Sequence, residues 1–140
     1  MPRAFSISTE SIAEQKRAGG DPDRFDISRV VKLDTLELRP VGAGDVHIRI
    51  LAVSGEHNIN HAALADTVNI ADIRGGKIFP GNSAVGEVLA VGASVTKFKP
   101  GDVVITHCNG EPDIYGLPLR IWAYDKPDSI GWYGEEAVVG

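Results

Sequence analysis

Short runs of alternating apolar and polar residues dominate the sequence, and most of them end at glycine or proline. The clearest run is "VHIRILAV", in which Val46 and Ile48 fall on one face of a predicted strand and His47 falls on the other. Further strands are predicted at "VKLDTLEL", "AVGEVLAVG", "GDVVITH", "LRIWAY" and "EEAVVG". Many short strands joined by such turns predict a mainly β fold, either a small barrel or a sandwich.

Two segments outside these strands have helical character. Ser8 or Thr9 can cap a short helix through "SIAEQKR", which is expected to end at the Gly19–Gly20 pair. The segment "HNINHAALAD" can form one or two helical turns. We therefore divide the chain into an N-terminal helical extension, residues 1–27, and a β domain, residues 28–140.

Composition narrows the class of protein. A chain of 140 residues is long enough for one core and too short for two. The formal net charge is −5, and Lys and Arg form no cluster, which argues against a nucleic-acid or anionic-membrane partner. Cys108 is the only cysteine, so no internal disulfide framework exists. Without a signal peptide or a long apolar stretch, the sequence predicts a soluble, cytoplasmic protein that spans no membrane.

Several common catalytic and nucleotide-binding motifs are missing. The sequence contains no G-x-x-x-x-G-K-[ST] loop, no G-x-G-x-x-G turn, no G-x-S-x-G elbow and no H-E-x-x-H helix. His47 is predicted to be a solvated strand residue. His57 and His61 would share one helical face, but we interpret this pair as structural and predict no metal site there.

One long segment carries a recognisable pattern. "PGNSAVGEVLAVGASVTKFKPGDVVITHC" has glycines at 81, 86, 92 and 101 and valines at 88, 91, 95 and 104. Glycines permit tight turns and positive φ, while the valines can fill a β interior. The segment closely resembles the GroES-like catalytic domain of the medium-chain dehydrogenase/reductase superfamily. That resemblance implies a partly open GroES-like β-barrel with short helices.

The zinc ligands of that superfamily are missing from their expected positions. Where the zinc-dependent branch carries Gly-His-Glu, this sequence reads Gly81-Asn82-Ser83, and residues 54–60 contain no cysteine. Asn and Ser side chains do not replace imidazole and carboxylate as zinc ligands. The sequence therefore predicts a zinc-independent reductase that binds no metal.

Four further motifs narrow the resemblance to crotonyl-CoA carboxylase/reductase and the reductase module of propionyl-CoA synthase. In chain order they are "HNIN", "THC", "RIWAYD" and "YGEEA". The resemblance implies catalytic roles for Asn60 (or Asn58), Tyr124 and Asp125. It also implies substrate-binding roles for the side chains at four positions: Asn58, His61, His107 and Trp122.

Two residues of the "RIWAYD" motif depart from the carboxylating members of that family. Asp125 stands for a glutamate, one methylene longer, that helps to hold carbon dioxide, and Ala123 stands for a glycine. We expect the shorter acid to leave room for water, which favours protonation of the enolate over carboxylation. The alternative for Asp125 is a strand-end acid bound to a backbone amide.

The resemblance implies the substrate side of an NADPH-dependent enoyl-CoA reductase acting on an acyl-CoA thioester. In such enzymes a downstream Rossmann domain binds most of the cofactor, so this sequence is expected to be an inactive fragment of a longer chain. The cofactor-binding residues stay unknown, and any homo-oligomer is expected to form through the missing domain. Two alternatives remain open: a carboxylating enoyl-CoA reductase, and a stand-alone, non-catalytic GroES-like binding module.

Overall fold

A computed structural model describes residues 1–18, 26–66, 68–106, 109–124 and 129–140. The strands within these ranges are β1 (Arg3–Ser8), β2 (Val31–Thr35), β3 (Val46–Val53), β4 (Lys77–Ile78), β5 (Ala84–Val91), β6 (Val103–Ile105), β7 (Asn109–Pro112), β8 (Pro118–Ile121) and β9 (Glu136–Val139). The helices are α1 (Thr9–Arg17), α2 (Ile27–Val30), α3 (Asn58–Leu64) and α4 (Ile70–Ile73). The predicted mainly β fold with short helices is confirmed.

These strands form three antiparallel sheets that do not close into a barrel. Their orders are β2-β1-β4, β6-β5-β3-β9 and β7-β8. In the described part of the chain the expected GroES-like fold is therefore present with its barrel open, and the first two sheets share one hydrophobic core. That core includes Ile7 from the first sheet, Val88 from the second and Trp132 from the segment before β9.

The N-terminal segment contributes a strand as well as the predicted helix. Ser8 caps α1: its hydroxyl accepts a hydrogen bond from the Ser11 amide at 3.0 Å, and the Ser11 hydroxyl accepts one from the Ser8 amide at 3.1 Å. The preceding residues form β1, which the sequence analysis did not predict, and β1 pairs with β2 across the expected domain boundary at residues 27 and 28. The boundary itself stays a prediction.

Strand β3 forms as its alternating pattern predicts, but only its first half keeps the alternation. Val46 and Ile48 are buried, while Leu51 and Val53 near its end are exposed. Register shifts follow His47 and Ile50 in the pairing with β5, which change the face that later residues present. The polar His47 is half-buried rather than solvated, and its Nε2 lies 2.8 Å from a carboxylate oxygen of Glu136 on β9.

The predicted strand "LRIWAY" ends earlier than its sequence suggests. Strand β8 stops at Ile121, and residues 122–124 form a turn in which Ala123 adopts φ 71°. This left-handed conformation favours glycine and ends an extended strand. It therefore gives a physical reason for the glycine that the resembling family carries at this position.

Glycine in the recognised motif allows close backbone contact. At Gly92 an added Cβ would lie 2.0 Å from the Gly42 carbonyl oxygen and 2.3 Å from that of Ala43. Only a residue without a side chain fits between the end of β5 and residues 42 and 43.

Among the described residues, no helix is both long and apolar enough to cross a bilayer.

Candidate functional site

Four chain segments meet at one end of β3 and β5, and we call their contact region the central cluster. It comprises residues 54–58 after β3, residues 80–83 before β5, the turn at 122–124, and residues 131–133. The Tyr133 hydroxyl donates to the Ser54 carbonyl at 2.7 Å. The Trp132 amide donates to the Gly81 carbonyl at 3.2 Å. These bonds join segments that lie far apart in the sequence.

Glu56 places a carboxylate inside the central cluster. One of its oxygens accepts a hydrogen bond from the Asn82 amide at 2.6 Å, and the other lies 3.5 Å from the Asn58 side-chain nitrogen. Burial raises the pKa of Glu56, while the hydrogen bonds from Asn82 and Asn58 oppose that rise. The sequence analysis missed this residue, because a carboxylate in a loop after a strand gives no signal of burial.

Tyr124 is the most unusual residue of the central cluster. Its side chain is buried, and within the described ranges its hydroxyl makes no hydrogen bond of good geometry, although the Gly81 backbone lies close to it. Burial raises the pKa of Tyr124 and the charge of Glu56 raises it further, while the backbone of Gly81 partly opposes them. The phenol therefore stays protonated at neutral pH and remains a hydrogen-bond donor. An unpaired buried hydroxyl calls for an explanation, and a bound ligand is one.

The turn that carries Tyr124 is fixed from behind by Arg74 and Ser129. The Arg74 guanidinium donates to the carbonyls of Ala123 and Tyr124 at 3.3 Å each and to that of Ser129 at 3.1 Å. The Ser129 hydroxyl accepts a bond from the Ala123 amide at 2.8 Å. These contacts hold Ala123 in its left-handed conformation and fix the direction of the Tyr124 side chain.

Trp122, a predicted substrate-binding residue, has a packing role in the structure. Its ring stacks on Trp132 with centroids 5.7 Å apart, and its indole nitrogen donates to the Ile130 carbonyl at 2.6 Å. The side chain is 8% exposed. Trp122 therefore supports the wall behind Tyr124, and its proposed contact with substrate stays a prediction.

The predicted residues on α3 lie at the surface. His57 and His61 are one helical turn apart as predicted, with ring centroids 5.4 Å apart, and His61 Nδ1 lies 3.9 Å from a carboxylate oxygen of Asp66. The side chains of Asn58 and Asn60 are exposed. Among these residues, Asn58 connects α3 to the central cluster through its hydrogen bond to Glu56. The predicted roles of Asn60 and His61 stay predictions.

Three residues named in the sequence analysis lie outside the described residues: His107, Cys108 and Asp125. Their expected roles stay predictions.

The positions where zinc-dependent relatives hold metal carry a backbone contact instead. The Asn82 amide binds the Glu56 carboxylate, and the Asn82 side-chain oxygen is buried without a partner. No group of three or more His, Cys, Asp or Glu side chains suited to a metal ion occurs in the ranges the structure covers. A backbone amide and a carboxamide oxygen are not among the usual ligands of zinc, and the zinc-independent assignment stays a prediction.

Comparison with known proteins identifies the domain. Residues 42–140 match the family model for the alcohol dehydrogenase GroES-like domain. A mitochondrial enoyl-[acyl-carrier-protein] reductase from Mus musculus is 40% identical over 127 residues, which cover 86% of this chain and 27% of the relative. Cinnamyl alcohol dehydrogenase 5 from Arabidopsis thaliana is 34% identical over 110 residues, which cover 71% of this chain and 30% of the relative. The chain thus spans less than a third of either protein.

Solved structures share the fold over nearly the whole chain. A crotonyl-CoA carboxylase/reductase superposes with a TM-score of 0.74 at 26% identity, covering 99% of this chain and 32% of the other. A 2-octenoyl-CoA carboxylase reductase in complex with NADP and 2-octenoyl-CoA gives a TM-score of 0.75 at 20% identity, covering 99% and 35%. The chain belongs to the alcohol dehydrogenase GroES-like domain family, within the medium-chain dehydrogenase/reductase superfamily of oxidoreductases.

Proposed function

We propose that this chain is the substrate side of a zinc-independent, NADPH-dependent enoyl-thioester reductase, with an acyl-CoA as substrate. The observation that carries the proposal is the buried Tyr124 hydroxyl, which makes no hydrogen bond of good geometry in the described structure although it lies near Glu56 and the Gly81 backbone. A neutral donor held in a buried position is suited to an oxygen on which negative charge develops. The similarity to enoyl reductases supports this assignment.

In the proposed reaction a hydride adds to the β-carbon of the α,β-unsaturated thioester. The π electrons move to the thioester oxygen to give an enolate, and a proton then adds to the α-carbon. Bound NADPH would supply the hydride and leave as NADP⁺. We propose that most of its binding residues lie outside this chain, which contains no G-x-G-x-x-G turn.

This chain's own residues would bind and orient the acyl group. Tyr124 would donate its hydroxyl hydrogen to the thioester oxygen, and the carboxamides of Asn58 and Asn60 would line the acyl side. Because the hydroxyl is covered by protein, substrate access requires side-chain rearrangement around Tyr124.

From the sequence we further propose that Asp125 favours protonation over carboxylation. The cytoplasmic location stays a prediction.

The proposal is tested by calorimetric titration of the chain with crotonyl-CoA. We expect Tyr124→Phe to weaken binding about tenfold, because one hydrogen bond to the thioester oxygen is lost. The same variant should be at least as heat-stable as the parent, because it removes an unpaired buried hydroxyl. NADPH is expected to bind weakly or not at all.

Tyr115→Phe is the matched control, because Tyr115 is 81% exposed and undergoes the same chemical change. Its affinity for crotonyl-CoA should equal that of the parent. The proposal fails if the parent binds crotonyl-CoA no more tightly than free CoA, or if Tyr124→Phe binds as tightly as the parent.

A second prediction concerns metal content. Because Asn82 and Ser83 occupy the zinc-ligand positions, the purified chain should retain far less than one zinc per molecule after dialysis. Elemental analysis by inductively coupled plasma mass spectrometry measures this directly. One tightly held zinc per chain would contradict the zinc-independent assignment.

A further inference from the structure

Glu56 joins the two loops on either side of the central cluster. It lies between β3 and α3, and its carboxylate binds the Asn82 amide just before β5 at 2.6 Å. The bond is short, as expected when the acceptor is charged. The second carboxylate oxygen lies 3.5 Å from the Asn58 side-chain nitrogen. The Glu56 side chain thus contacts both Asn58, which is predicted to bind substrate, and the backbone of Asn82 next to Gly81.

The contact with Asn82 requires an acceptor oxygen at this position and does not require its charge. Asn82 is 5% exposed, so its amide needs a hydrogen-bond acceptor, but a neutral carboxamide oxygen could serve. Burial raises the pKa of Glu56, so ionisation of this group lowers stability as the pH rises through that pKa.

The surroundings of Glu56 also indicate a functional position. Burial raises the pKa values of Tyr124 and Tyr133, and the charge of Glu56 adds to both rises, while the Glu56 backbone opposes the rise at Tyr133. The Tyr133 hydroxyl also donates to the backbone of the same loop at Ser54, 2.7 Å away. No Lys or Arg lies among the hydrogen-bond partners found for Glu56 in the described residues. The carboxylate therefore acts on neutral polar groups and does not belong to a surface ion pair.

We propose that Glu56 is a positioning residue of the acyl site: it holds Asn58 and the Asn82 turn in place beside Tyr124, so that an enoyl thioester meets a preformed set of donors. The inference rests on the proposed function. It assigns Glu56 no contact with the reacting atoms. The acceptor oxygen of its side chain is what positions the loop, so a neutral isostere should largely preserve binding.

The test compares Glu56→Gln, Glu56→Ala and the parent, with Glu87→Ala as the control for loss of a strand carboxylate. Affinity for crotonyl-CoA is measured well below the unfolding temperature of every variant. We expect Glu56→Ala to bind about tenfold more weakly and Glu56→Gln to stay within about threefold of the parent. Glu87 pairs with Arg49 on the sheet surface, so Glu87→Ala should bind as the parent does.

Nuclear magnetic resonance separates this inference from the proposed function. In Glu56→Ala, the Asn82 amide should exchange faster with solvent and the Asn58 side-chain resonances should shift, whereas Glu56→Gln should protect the Asn82 amide. Equal affinity in Glu56→Ala and the parent would overturn the positioning role, and so would equal weakening in both variants. If the parent does not bind crotonyl-CoA, the proposed function fails. Independently of that result, unchanged Asn58 and Asn82 signals in Glu56→Ala would overturn the contacts of Glu56 with these two residues.

Discussion

Replacing Gly81 by alanine is expected to lower the free energy of unfolding by about 3–5 kcal/mol, or to prevent folding. Gly81 adopts φ +117°, a conformation that L-amino acids rarely occupy. An added Cβ would also lie 2.7 Å from the backbone nitrogens of both Trp132 and Tyr133. The strain and the steric overlap are separate costs, which is why the expected effect is large.

The backbone around Gly81 has little freedom to relieve that overlap. The Trp132 amide donates to the Gly81 carbonyl at 3.2 Å, and the Tyr133 amide donates to the Pro80 carbonyl at 3.1 Å. Moving either of these two segments would break the bonds that hold the central cluster together. Urea unfolding followed by circular dichroism measures the change.

Gly44→Ala is the matched control for Gly81→Ala. An added Cβ at Gly44 meets no atom within 4 Å, and its φ lies outside the positive range. We expect its free energy of unfolding to stay within about 0.5 kcal/mol of the parent. If Gly81→Ala is as stable as Gly44→Ala, the close contact between residues 80–82 and 131–133 is wrong.

Arg74→Met is expected to destabilise the chain by about 2–4 kcal/mol. The substitution keeps much of the apolar stem but leaves the carbonyls of Ala123, Tyr124 and Ser129 without the guanidinium. Hydrogen bonds from a charged donor contribute more than neutral ones, and three depend on this side chain. The stability of Arg74→Lys should lie between that of Arg74→Met and that of the parent, because an ammonium lacks the planar fork that reaches several carbonyls.

The control for Arg74→Met is the same substitution at Arg29. Arg29 forms an exposed ion pair with Asp26 at 3.5 Å, and such pairs contribute about 0–1 kcal/mol. Chemical unfolding of the two variants gives the comparison. Equal stability losses in Arg29→Met and Arg74→Met would mean that Arg74 does not fix the turn at 122–124.

The sequence predicted those parts of the fold that depend on local pattern. The Ser8 cap of α1 and the alternation at the start of β3 depend on residues a few positions apart. The motif glycines at 81 and 92 were also recognisable, although the contacts that require them become visible only when distant segments meet.

The features that sequence reasoning missed depend on tertiary contacts. Strand β1 buries the small residues Ala4 and Ser6, which carry little strand signal. The end of β8 depends on Ala123, whose left-handed conformation is stabilised by hydrogen bonds with the side chains of Arg74 and Ser129. Glu56 reads as an ordinary loop acid until its bond to Asn82 is seen.

The central claim is that the acyl group of an enoyl thioester binds beside Tyr124. An isotope-filtered nuclear Overhauser spectrum of the labelled chain with crotonyl-CoA tests it most directly. We predict Overhauser contacts between the vinyl protons of the crotonyl group and the ring protons of Tyr124. Contacts from those protons only to surface residues such as Val103 and Ile105, which are 67% and 82% exposed, would contradict the claim.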